Sequence, residues 1–223
     1  MIKGRRLVDL SHVLIPGEEE YHLRLTTHNT DDLYPQYRRD EGVWYILQDI
    51  EMSSHCGTHI EFPYHHSKDG LDAASFPLSR LMGDCALLDL RHRGPNEAVG
   101  VDDLLGSGER VREGDMVMLW FDRSHLYRTG RSHERPYLSM EAARWLVEGR
   151  GVTLIGSDAS GIEIKGAPNQ PIHQYLMDRG IPIIEFAANL GQLSRGRFTL
   201  LVPALAVRGL DSCPIRLLAL EDE

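Results

Sequence analysis

The stretch His55-Cys56-Gly57-Thr58-His59-Ile60-Glu61-Phe62-Pro63-Tyr64-His65 carries three histidines and a carboxylate, all at odd-numbered positions. In an extended chain alternate residues face the same way, so His55, His59, Glu61 and His65 make a polar face, backed by Cys56, Ile60, Phe62 and Tyr64. His59 and Glu61 then have Cα atoms about 6.5–7 Å apart, which lets both side chains converge on one cation. His55 and His59 would stand about 13 Å apart in a straight strand, too far for bonds of roughly 2 Å. The backbone must therefore bend between them, and Gly57, lacking Cβ, permits the bend. A helical turn would also bring them together, but Gly57, Thr58 and Pro63 disfavour a sustained helix. Imidazole and carboxylate without a cysteine pair suit Zn²⁺ or Mn²⁺ in a catalytic rather than a structural site. His66 is out of phase and reads as a surface or packing residue. Cys56 points away from the set and reads as packed rather than reactive.

Working outward, short apolar or β-rich runs recur along the chain. Leu7–Leu10, Val43–Ile50, Cys85–Leu90, Met116–Phe121, Val152–Ile155, Ile181–Ile184, Phe198–Val202 and Ile215–Leu220 all predict strands. Two helices are legible. Ser139 is a good N-cap for a helix through Ala142, Trp145 and Leu146 that stops at Gly149 and Gly151. Pro171 opens a shorter one that ends near Arg179, with Gly180 as the stop. Each helix leads directly into an apolar strand, yet strands outnumber helices, which predicts a single mixed α/β domain over residues 1–223 rather than a doubly wound one.

Composition narrows the function. A chain of 223 residues buries enough surface to fold without staples. Its formal net charge of −9 repels phosphate backbones, so no nucleic-acid partner is expected. Cys56, Cys85 and Cys213 are widely spaced and odd in number, which fits a reducing cytoplasm. No apolar run has the length of a signal or a membrane span, so no membrane partner is expected. What remains unexplained by an average composition is that four of the eleven histidines fall between residues 55 and 66.

A metal needs further ligands or an open position for water. His173, in the shorter helix, and Glu185, at the end of the next strand, are the best remaining candidates, because site residues collect at strand ends beside short helices. Spacing alone leaves a helix-surface histidine and an edge glutamate as the alternative. Asp158 and Ser160 either orient ligands or satisfy a turn.

The segment His55-x-Gly57-Thr58-His59-x-Glu61-x-Pro63-x-His65 resembles the H-x-G-T-H-x-D-x-P-x-H motif of the cyclase-like metal-dependent hydrolases, the family that contains bacterial kynurenine formamidase and isatin hydrolase. Val8-Asp9-Leu10-Ser11, Gly114-Asp115-Met116-Val117, Gly156-Ser157-Asp158-Ala159-Ser160 and Asp211-Ser212-Cys213-Pro214-Ile215-Arg216 resemble further stretches of the same family. The resemblance implies a compact cyclase-like swivelling fold of β/β/α layers. It also implies that His55, His59 and Glu61 hold a first metal and that His173 and Glu185 complete the site, with one or two ions per chain. His65 is then the proton donor and acceptor, and the protein a homodimer or homotetramer acting on a small-molecule substrate. Two positions depart from the family pattern. Glu61 stands where the motif has Asp, and Tyr21 stands where kynurenine formamidases have a substrate-stacking Trp.

The activity so implied is metal-dependent hydrolysis of an N-formyl or cyclic amide. The alternatives are hydrolysis of a lactone or isatin-like ring, or a binding protein in which Glu61 has cost turnover.

Overall fold

In the computed structural model, which describes residues 4–38, 40–108 and 110–222, the apolar runs fold as strands of one large sheet. Along the chain lie β1 (Arg5–Asp9), β2 (Leu23–Asn29), β3 (Ile46–Met52), β4 (His59–Glu61), β5 (Met82–Asp89), β6 (Ala98–Val99) and β7 (Met116–Trp120). They are followed by β8 (Tyr137–Leu138), β9 (Leu154–Ser157), β10 (Ile183–Glu185), β11 (Arg197–Leu201), β12 (Ser212–Pro214) and β13 (Leu218–Asp222). The α-helices are α1 (Thr30–Leu33), α2 (Val101–Gly106), α3 (Met140–Arg144) and α4 (Pro171–Met177). Ser139 Oγ accepts a hydrogen bond from Ala142 N, which caps α3 as its sequence predicts. The helix then widens into a π-helical turn over Trp145–Gly149. Pro171 opens α4, and Gly180 follows it at φ +70°.

Nine strands form the main sheet in the order β1-β13-β11-β5-β7-β9-β10-β4-β12. The central four, β5, β7, β9 and β10, run parallel, and both flanks are antiparallel. Strands at the centre are apolar in both phases because both faces are covered. On one face Leu88, Val117, Leu119, Ile155 and Ile183 meet Leu104, Leu146, Ile172 and Leu176 of the helical layer. On the other, residues from the two ends of the strand order, Val8 and Ala219 against Ile60 and Cys213, join a single core with Met118, Leu154 and Ile184. The sheet is therefore curled. Leu10 ties the curl by donating to Leu217 O and accepting from Ala188 N, both at 2.8 Å. The result is one mixed α/β domain built on a curled sheet.

One predicted strand behaves differently. The Val43–Ile50 run becomes β3, shifted toward the C-terminus, and pairs only with β2 in a separate two-stranded arm. Trp44, just before it, is 79% exposed.

Candidate metal centre

The site begins where β4 pairs with β10, with His59 opposite Glu185 and Glu61 opposite Ile183. Directly opposed residues on an antiparallel pair point to the same face about 4.5–5.5 Å apart, and the next-but-one residue shares that face. His59 Nε2 accordingly lies 3.8 Å from Glu185 Oε2 and 3.7 Å from Glu61 Oε1. Only His59–Glu61 of the histidine stretch is strand. Gly57 supplies the bend before it, at φ +66°, and a Cβ there would run into the Leu14 side chain. The bend carries His55 back over the strand, so that its Nδ1 is 3.1 Å from Glu61 Oε1. Pro63 turns the chain again, and the short 3-10 turn Pro63–His65 brings His65 Nε2 to 3.8 Å from the same oxygen. From α4, His173 Nε2 reaches 3.4 Å from Glu185 Oε1 and 3.6 Å from Glu61 Oε2.

The outer nitrogen of each ring is held by an acceptor, and this fixes which nitrogen faces inward. His59 Nδ1 donates to Gly57 O at 2.8 Å. His55 Nε2 and His65 Nδ1 both meet Asp211 Oδ2, at 3.0 and 2.9 Å. His173 Nδ1 lies 3.5 Å from Glu163 Oε2, which also accepts from Ile172 N at 2.7 Å, at the start of α4. His55 Nδ1, His59 Nε2 and His173 Nε2 are therefore the nitrogens that face Glu61 and Glu185. Glu61 Oε2, buried, has no hydrogen-bond partner among the described residues. Two groups, His55–His59–Glu61 and Glu61–His173–Glu185, each bring three ligand atoms within 4.8 Å of one another and share Glu61. A third, His55–His65–Asp211, lies alongside.

The field in the cluster is strongly negative. Burial alone would push the His173 imidazole down, but Glu163, Glu185 and Glu61 raise it to about 10. Burial likewise opposes protonation of His55, and Glu61 with Asp211 overrides it, raising the ring to about 9. Burial would raise Glu61, yet hydrogen bonds from His55 and His59 and the charge of His173 hold it well below the usual carboxylate range. The field that keeps protons on two imidazoles is also the field that attracts a divalent cation, and the nitrogen and oxygen donors fit one of borderline softness.

The cluster opens on a cavity of about 410 Å³ lined by Tyr21, Arg135, Ser160, Lys165 and Gln170 as well as His55, His65 and His173. Tyr21 is half-exposed there, its ring centroid 6.4 Å from that of His55. All six residues singled out in the sequence, His55, His59, Glu61, His65, His173 and Glu185, thus meet, with Tyr21 at the rim. His66 is outside the set, stacked on His173 at 5.6 Å and bonded to Gln170 and Gln174. Cys56 is buried, and burial with the nearby Glu19 pushes its thiol up to about 11. Asp158 accepts from Phe121 N and Arg123 N, which makes it a turn residue. Sequence reasoning missed the roles of Asp211 and Glu163. Neither lies at a periodic spacing from the histidines. Asp211 adjoins β12, which pairs with β4, and Glu163 precedes α4 across a loop.

Fold and cluster together define a mixed α/β protein whose buried imidazole and carboxylate groups can hold a divalent cation at the floor of a cavity. A family model described as "Cyclase: Putative cyclase" matches residues 8–164, and the chain belongs to that family. It is 30% identical over 204 residues to a kynurenine formamidase of Erythrobacter litoralis, covering 91% of this chain and 88% of that one. A solved structure described as a potential metal-dependent hydrolase with cyclase activity superposes with a TM-score of 0.77 at 26% identity, covering 98% of this chain and 99% of that one. Isatin hydrolase A of Labrenzia aggregata shares the fold, with a TM-score of 0.80 at 24% identity over 99% of this chain and 95% of that one. Among the described residues no helix is long and apolar enough to cross a membrane.

Proposed function

We propose that this protein is a metal-dependent hydrolase that cleaves an N-formyl amide or a cyclic amide. The observation that carries the reading is the convergence of three inward-facing imidazole nitrogens on two buried glutamates, one of whose oxygens, Glu61 Oε2, has no hydrogen-bond partner among the described residues. In this reading His55 Nδ1, His59 Nε2, His173 Nε2, Glu61 and Glu185 hold Zn²⁺ or Mn²⁺, with two ions per chain if the glutamates bridge and one if they do not. A divalent cation supplies polarisation of a carbonyl and lowers the pKa of water from 15.7 to about 7. His65, with Nδ1–H donated to Asp211, keeps Nε2 free to accept the proton of a water and return it to the leaving nitrogen. Asp211 holds that ring in the needed tautomer and steadies the imidazolium as it forms. Tyr21 offers the cavity a ring face for a planar substrate. The kynurenine formamidase relatives, whose named activity is on an amide, support this choice of bond.

We further read the two ends of the curled sheet as the β layers, and the helices as the third layer, of a β/β/α swivelling domain spanning the chain. A cytoplasmic homodimer or homotetramer with a small-molecule substrate completes the proposal. The test is metal content per chain by mass spectrometry on protein purified without chelator, alongside His59→Ala, followed by formate release from N-formylkynurenine and ring opening of isatin. One or two ions per chain, lost in the variant, with formate released, supports the proposal. Protein without metal, or metal indifferent to His59, overturns it in favour of a binding protein.

A further inference from the structure

We propose that Arg135 makes the cavity selective for anionic substrates by gripping a carboxylate carried on the same molecule as the amide. The inference rests on the amide-hydrolase reading for the reaction, though not for the recognition of the anion.

Arg135 stands in the loop before β8 and lines the cavity with Tyr21, Glu61, His173 and Glu185. Like Arg80 and Arg123, it is a partly buried arginine without an ion pair among the described residues, and it differs from them in lining this cavity. Arg93, Arg128 and Arg197, also partly buried, each sit on a carboxylate, Asp103, Glu19 and Asp115 respectively. Among the described residues Arg135 has no carboxylate within ion-pair distance, although Glu185 and Glu163 are near enough to be felt electrostatically. Its Nη1 donates to Ser160 Oγ at 3.1 Å and to His133 O at 3.4 Å, which orients the group. Ser160 is itself pinned by donating to Ser132 O at 2.9 Å. The opposite edge has no acceptor among the described residues: Nε is buried and unpartnered.

The Nε–Nη2 edge of an arginine is a planar pair of donors that matches the two oxygens of a carboxylate. Gly161 lies against that edge, and a side chain there would crowd it. A Cβ at Gly161 would lie 3.2 Å from Arg135 Nη2, 3.4 Å from its Nε and 2.8 Å from Glu185 Oε1, and the residue's φ of +121° disfavours any side chain. The fork of Arg135 and the carboxylate of Glu185 therefore border one pocket, and an acid bound by the fork has its amide beside the metal-binding residues. Glu185 and Glu61 are both engaged by His59 and His173. Lys165, exposed on the same cavity wall, is a second cation there.

The experiment compares metal-loaded protein acting on formanilide with 2-, 3- and 4-formamidobenzoate, which differ only in the presence and position of the carboxylate. A bidentate charged contact of this kind corresponds to roughly 10–100-fold. At least one acid is expected to exceed formanilide by about 10-fold or more in kcat/KM. Arg135→Met is expected to bring that ratio toward one, mainly by raising KM for the acid, and Arg135→Lys to restore it only in part. Metal content of the variants reports that they have folded around the site. No preference for any acid, or a preference that survives Arg135→Met, overturns the inference and leaves amide hydrolysis standing. Should none of the four be cleaved, it is the N-formyl branch of the hydrolase reading that fails. Calorimetric titration with benzenesulfonate, an anion that ligates metals poorly, then decides on Arg135. Binding that weakens at least 10-fold in Arg135→Met supports the anion site, and absent or unaltered binding overturns it.

Discussion

Asp211→Asn tests the way the site is held. One carboxylate oxygen of Asp211 accepts from His55 Nε2 at 3.0 Å and from His65 Nδ1 at 2.9 Å. Burial would raise this acid, but the two histidines hold it down at about 2, so it is ionised near neutral pH. The amide of Asn keeps one acceptor oxygen of the same size and turns the other into an N–H donor. Both rings meet the same oxygen, so an Asn whose amide oxygen takes that place serves both and loses only the charge; where the amide nitrogen takes it, donors face each other unless a ring switches tautomer. If His55 switches, its proton moves to Nδ1, the nitrogen aimed at Glu61. If His65 switches, Nε2 loses the lone pair needed as a base. A charged hydrogen bond contributes about 1.5–3 kcal/mol when buried. The Asp211 side chain is 33% exposed, so the lower half of that range applies. Loss of one such contact amounts to roughly 10–100-fold in metal affinity or activity, the usual cost of removing a group that orients a ligand. The assay is competitive metal titration against a chromophoric chelator, with the pH dependence of any formate release measured on metal-saturated protein. Weakened metal binding identifies His55 as the ring that switches, whereas unchanged binding with the low-pH limb of the rate altered identifies His65. An affinity and a pH profile both equal to those of the parent would refute the reasoning.

Further outcomes follow from other parts of the structure. Gly161→Ala, at φ +121° and with its Cβ 2.8 Å from Glu185 Oε1, is expected to destabilise the fold by about 1–3 kcal/mol and to lower metal occupancy, measured by urea melts and mass spectrometry. His12 is kept at about 4, first by burial and then by Arg128, whereas the unfolded chain titrates near 6.5. Between those values only the unfolded state takes up the proton, so stability falls as pH drops from 6.5 to 4, by about 2 kcal/mol after allowing for partial exposure. His12→Phe, which preserves the stacking on Tyr127, should lack that fall when chelated proteins are compared by denaturant melts at pH 6.5 and 4.5. Zn²⁺ or Mn²⁺ at about 100 times its Kd should stabilise the chelated protein by about 2.7 kcal/mol, and an unshifted melting temperature would remove the cation from the site.

The central strands were legible because burial on both faces leaves an unambiguous apolar run. The runs read as Cys85–Leu90 and Met116–Phe121 lie within a few residues of β5 and β7. What was hidden had no such signature. Strand β2, Leu-Arg-Leu-Thr-Thr-His-Asn, is half-exposed and owes its form to β3 rather than to its own pattern. Strands β4 and β12 have three residues each, and β12 ends on Pro214, so register with neighbours rather than composition makes them strands. Within the site, the local half was readable from alternation and from the bend at Gly57. The remainder depends on contacts over long sequence separations. Asp211 is 156 residues from His55, and Arg135 is 50 residues from Glu185, distances over which spacing carries no information. His173 and Glu185 lay between, as plausible positions that only the resemblance promoted.

The strands that carry these residues are also the briefest in the sheet. Strands β10, β4 and β12, three residues apiece, form one margin of it, while β5, β11 and β13 on the other side have eight, five and five. With so few ladder bonds to break, that margin is where opening short of global unfolding costs least. A cation joining His59 and Glu61 to Glu185 would cross-link β4 to β10 through side chains where the backbone ladder is shortest. Amide hydrogen exchange along Ile60, Ile184 and Cys213 then becomes a gauge of occupancy, fast in chelated protein and slowed together on loading, while the exchange of Leu88 and Leu119 stays tied to the whole fold.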